Sequence, residues 1–96
     1  PADRHETAAA VRWAAAHDGG CFLRLSRVGV PDLLPEDHVF ELGKANLLRD
    51  GGDLTIIANG VLTHRALIAA ALLEARGLLA GGGGGAHWSS SLFSSM

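Results

Sequence analysis

This 96-residue sequence has no tyrosine, one cysteine and one methionine, and only 5% of its residues are aromatic. A lone cysteine, Cys21, cannot close an internal disulfide, so the composition suits a reducing compartment such as the cytosol. Neither sign of charge dominates: the formal net charge is −2. No basic footprint for nucleic acid follows. The longest apolar run, 66–73, is far short of the roughly 20 residues that span a bilayer. The chain has no initiator methionine, signal-peptide core or targeting pattern, and its Pro1-Ala2-Asp3 opening reads like a chain entered midway. No nucleic acid and no membrane are therefore expected as partners.

Hydrophobic residues make up 48% and charged residues 19%, a balance that favours a folded domain over disorder. Asp3 and Glu6 have the spacing of a capping box, in which each carboxylate satisfies a free amide. A helix is predicted over 4–17, with an apolar stripe of Ala8, Val11, Ala14 and Ala15, stopped by Gly19-Gly20. Trp13 reads as packing. Residues 21–26 then read as a strand, which makes half of an α/β unit. Pro31 and Pro35 break regular structure in a connector before the next extended stretch.

Residues 44–48 and 54–58 are predicted strands. Between them, Asp50-Gly51 and Gly51-Gly52 tolerate the positive φ of a tight hairpin. The near-continuous apolar run of 54–58 suggests burial on both faces. Thr63 is the expected cap of a helix over 64–76. Its apolar face is Leu67, Ile68, Ala71, Leu72 and Ala75, and it ends at Gly77. Residues 81–96 combine polyglycine with serine, and disorder is expected there.

Little catalytic chemistry is visible. The five histidines are scattered without metal-ligand spacing. Cys21 reads as an inert thiol and His64 as a surface residue. The glycine block lacks the Gly-Lys-Ser/Thr ending of a phosphate loop. Asn59-Gly60 lies between strand and helix, where α/β proteins often bind ligands, and also reads as a simple turn. Arg27 follows the apolar run Phe22-Leu23-Arg24-Leu25-Ser26. Its guanidinium fits phosphate oxygens two at a time. The residue type leaves two readings open: an anion clamp, or a solvated charge.

The order of the segments resembles the transketolase family. Pro1-Ala2-Asp3 with Glu6, an alanine-rich helix and Phe22-Leu23-Arg24-Leu25-Ser26-Arg27 resemble the close of its pyrimidine-binding domain. Phe40-Glu41-Leu42-Gly43-Lys44-Ala45, Leu47-Leu48-Arg49-Asp50-Gly51 and Asp53-Leu54-Thr55-Ile56-Ile57-Ala58-Asn59-Gly60 resemble the opening of its C-terminal domain. The likeness covers about residues 1–80, and the wording is nearest to bacterial split transketolases.

The resemblance implies pieces of two three-layer αβα domains with a mostly parallel, incomplete sheet. Residues 1–33 would end one domain, 34–38 link, and 39–80 open the other. The implied reaction moves a two-carbon ketol unit between sugar phosphates on thiamine diphosphate, held with a divalent metal such as magnesium. Arg27 matches the family arginine that binds substrate phosphate. The cofactor-activating glutamate and the diphosphate site lie outside the matched segments. This chain alone is thus expected to be silent, with no catalytic, cofactor-binding or metal-binding residues and no bound cofactor. An N-terminal transketolase subunit or domain is the implied partner, within a cytoplasmic dimer. Deoxyxylulose-phosphate synthase and the 2-oxoacid dehydrogenase β subunit share the domain plan, but the synthase favours Pro-Arg-Gly where this chain has Ser26-Arg27-Val28. A small interaction domain, docking a partner through 66–73, is the reading from a different class.

Overall fold

The computed structural model describes residues 1–50 and 53–77, and the backbone of 87–91. Five elements follow in order: helix α1 (Arg4–Ala16), strand β1 (Ala45–Arg49), strand β2 (Thr55–Ala58), helix α2 (Leu62–Ala75) and strand β3 (His87–Ser91). The fold is a small α/β arrangement.

Helix α1 starts where its cap dictates. The Glu6 amide donates to Asp3 Oδ1 at 2.8 Å, and the Ala2 amide donates back to the Glu6 carboxylate. The buried side is Glu6, Ala9 and Ala10. The expected stripe is therefore displaced: Val11 is exposed, and the adjacent alanines Ala9 and Ala10, one turn on from Glu6, face inward instead. Alanine content alone cannot fix a face, because every side of such a helix reads as weakly apolar. Gly19 does take positive φ, at 115°, just beyond the helix.

Residues 21–26 form no strand. They are mostly exposed, with Phe22 and Leu25 open to solvent. A strand exists only as one side of a ladder, and no described segment runs alongside this one.

The three strands form one sheet in the order β1-β3-β2. β1 pairs antiparallel with β3, and β2 pairs parallel with it. Within the described residues the sheet thus carries one antiparallel and one parallel pairing. β1 and β2 are not neighbours, so 50–53 does not close a two-stranded hairpin; Gly51 and Gly52 lie outside the described residues. β3 falls inside the stretch expected to be disordered. Its backbone satisfies edges of both β1 and β2, which a reading of side chains alone does not anticipate. The rest of 81–96 lies outside the described residues.

Helix α2 covers one face of the sheet. Ala70 is fully buried against Leu48, Ile56 and Ala66. The small Ala70 side chain lets helix and sheet approach closely. Arg49 on β1 pairs with Glu74 on α2 and ties the two layers. Burial of β2 is one-sided, contrary to its apolar run: Ile57 is 69% exposed. The inward face of α2 is Thr63, Ala66 and Ala70, whereas Ile68 and Leu72 are exposed.

Thr63 does not cap α2. Gly60 takes φ of 55°, and the amides of Leu62 and Thr63 donate to the carbonyls of Asn59 and Gly60. The turn therefore begins earlier, with Val61 at the cap position. Thr63 sits buried in the first turn, and its hydroxyl has no partner among the described residues. Gly77, with φ of 77°, ends the helix as a left-handed stop.

Candidate phosphate site at Arg27

Arg27 lies at the bend that follows segment 21–26. The Val28 amide donates to Ser26 Oγ at 3.1 Å, a local turn that spans Arg27. Its side chain is exposed, and no carboxylate among the described residues pairs with it. The remaining arginines differ in this respect at two positions. Arg4 forks onto Asp32, with Nε at 2.8 and 2.9 Å from its two oxygens, and Arg49 is committed to Glu74.

The segment carrying Arg27 is anchored where it returns to α1. Asp3 Oδ2 accepts the amides of Leu33 and Leu34, each at 2.7 Å, while Oδ1 caps the helix. Asp3 is buried. Burial pushes its carboxyl up, but the amides of Glu6, Leu34 and Leu33, with the nearby His5, outweigh that and hold it below the usual range. Asp32 is held below the usual range first by its hydrogen bond from Arg4. His5 Nε2 lies 3.5 Å from the same carboxylate.

Glu6 extends this polar cluster to the sheet. Its Oε1 accepts from Asn46 Nδ2 on β1 at 3.0 Å. Trp13 stacks on His17 at 4.6 Å and meets Phe40 edge-on at 5.7 Å, as packing between α1 and the segment before β1. Sequence reasoning identified Asp3 and Glu6 as caps. It missed Asp32 and Asn46, for which only long-range contact gives the signal.

No protein-family profile matches the chain. It is 50% identical over 82 residues to an uncharacterised transketolase family protein, y4mN, of Sinorhizobium fredii, a match covering 84% of this chain and 24% of that protein. It is 42% identical over 78 residues to the 6-deoxy-6-sulfo-D-fructose transketolase subunit SqwH of a Clostridium species, covering 81% of this chain and 24% of that one. Among solved structures, a split gene transketolase, described as an inactive beta4 tetramer, superposes with a TM-score of 0.82 at 40% identity. That match covers 94% of this chain and 28% of the other. The chain corresponds to a segment of the transketolase family. It spans about a quarter of the length of the curated relatives it matches.

Thiamine diphosphate and its metal are implied for the parent enzyme by the resemblance, and two observations on the described residues bear on them. No group of three or more histidines, cysteines or carboxylates converges among them as metal ligands. The two buried carboxylates, Asp3 and Glu6, are already engaged by backbone amides and Asn46. Among the described residues no helix is long and apolar enough to cross a membrane.

Proposed function

We propose that this chain supplies the seam between two domains of a transketolase, and that Arg27 binds the phosphate of the sugar substrate. In this reading residues 1–33 end the pyrimidine-binding domain, 34–38 link, and 39–80 open the C-terminal domain. The reaction is transfer of a two-carbon ketol unit between sugar phosphates, as in the pentose phosphate pathway of the cytoplasm. Thiamine diphosphate with a divalent metal such as magnesium supplies the carbanion chemistry from other parts of the assembly. The partner is an N-terminal transketolase subunit or domain, and the assembly is dimeric.

The observation that supports the reading is the uncommitted guanidinium of Arg27, presented at a turn in the sequence Leu25-Ser26-Arg27-Val28. A phosphate dianion gains a bidentate, charge-assisted contact there, and the sugar is oriented by its far end. The same residues favour transketolase over the synthase with the shared domain plan, since Ser26 rather than proline precedes the arginine.

The test is Arg27→Ala in a complete enzyme carrying this segment. A charge-assisted contact contributes roughly 1.5–3 kcal/mol. The apparent KM for sugar phosphate should therefore rise by about tenfold to a hundredfold, with cofactor binding retained. Unchanged kinetics would remove the phosphate role.

A further inference from the structure

We propose that Glu6 and Asn46 form a buried polar lock that fixes how the lobe opened by 39–80 seats on the lobe closed by 1–33. The inference rests on the reading that these two stretches belong to different lobes, and not on the role of Arg27.

Helix α1 begins at the seam. A Cβ placed on Gly60, in the turn before α2, would lie 3.9 Å from the Pro1 carbonyl oxygen. Trp13 meets Phe40 edge-on at 5.7 Å. Glu6, between Pro1 and Trp13 in sequence, adds a hydrogen bond: its Oε1 accepts from Asn46 Nδ2 at 3.0 Å. Glu6 is already 1% exposed within this segment, and further chain can only cover it more. The solved split transketolase superposes over 94% of this chain, which takes in both sides of the seam.

The ring contact and the Pro1–Gly60 approach are contacts of shape. The Glu6 pair is directional, and leaving it unmade is costly. The carboxylate is buried, and no lysine, arginine or histidine among the described residues pairs with it. Its second oxygen is taken by the Ala2 amide. Asn46 must present its nitrogen, because a carboxylate offers only acceptors. A seating that moves Asn46 away strands one oxygen of a buried carboxylate without this donor. Single buried polar groups set register in coiled coils by the same logic.

The pair can be exchanged. Asn46→Asp removes the donor and sets a second carboxylate against Glu6. Adding Glu6→Gln restores the match. In that double variant the side-chain nitrogen at position 6 donates to the carboxylate at 46, and its carbonyl oxygen still accepts the Ala2 amide. Hydrogen exchange in a complete enzyme carrying this segment reads the outcome. Asn46→Asp alone is expected to speed exchange about tenfold or more on both sides of the seam, in 7–10 and in 45–49. The double variant should return to within about threefold of the parent enzyme.

Unchanged exchange in Asn46→Asp would overturn the lock. So would an acceleration that Glu6→Gln does not relieve, or one confined to 45–49, which is what a local defect in β1 gives. If Asn46→Asp fails to assemble, recovery on adding Glu6→Gln supports the lock. If neither variant assembles, a crystal structure of the unaltered complete enzyme decides. Asn46 Nδ2 within about 3.2 Å of Glu6 Oε1 supports the lock, and a wider separation overturns it. The same structure shows whether 1–33 and 39–80 lie in different lobes, so the seam reading can fail while the pair itself stands.

Discussion

Asp3 serves two tasks with one carboxylate. One oxygen starts α1, and the other holds the chain at Leu33 and Leu34. Asp3→Ala removes both, leaving three amide donors to find water or strain. A lost cap costs about 1 kcal/mol, and each unsatisfied buried donor adds about 1–3 kcal/mol. Hydrogen exchange should show Leu33 and Leu34 losing protection first. The pH dependence has a fixed sign. The folded state holds the Asp3 and Asp32 carboxyls below their ordinary values. Their contribution is therefore complete above about pH 4, the value of an unperturbed aspartate, and disappears as pH falls through the lowered folded values. Exchange at Leu33 and Leu34 should accelerate in acid beyond the intrinsic rate. Protection that does not weaken at all as pH falls below the ordinary aspartate range would contradict the assignment.

Helix α2 and its two strands meet through alanines. Ala70, wholly buried, touches Leu48, Ile56 and Ala66. Enlarging it forces helix and sheet apart, so Ala70→Leu should destabilise by about 1–3 kcal/mol. Leu72→Lys, at a 62% exposed position, should change stability by no more than about 0.5 kcal/mol. Urea titration of the two variants distinguishes this inward face from the one its leucines suggest. The contrast shows what could be read along the chain. Local signals placed well the starts and stops that depend on neighbours: the Asp3–Glu6 cap, the Gly77 stop, and strands within a residue of Ala45–Arg49 and Thr55–Ala58. What depends on distant partners was illegible. Residues 21–26 have strand-like side chains but no ladder. The 87–91 stretch has serine-rich side chains and joins one. Asp32 and Asn46 carry no local pattern that announces Arg4 and Glu6.

Taken whole, the chain buries little. Its buried apolar residues among those described are Ala2, Ala9, Ala10, Leu34 and Ala70. None is aromatic, and four are alanines. Phe22, Val28, Val39 and Ile57 are each at least 65% exposed. The radius of gyration is 14.8 Å, against about 12.5 Å for a compact domain of this length. A core this thin leaves the isolated chain only marginally stable against the roughly 1–2 kcal/mol per residue of backbone ordering. The isolated chain should melt broadly and associate at higher concentration through its apolar surface. Calorimetry showing a sharp, concentration-independent transition would count against this view. The exposed apolar side chains belong to a larger assembly in the proposed reading. There the Arg27 segment would face the substrate, and Asn46, Glu6 and Phe40 would join the two lobes.

The most direct test is a crystal structure of a complete enzyme carrying this segment, with a sugar phosphate bound. The expected result is two guanidinium nitrogens of Arg27 about 2.7–2.9 Å from phosphate oxygens. A phosphate held by other residues, with Arg27 still turned to solvent, would contradict the proposal.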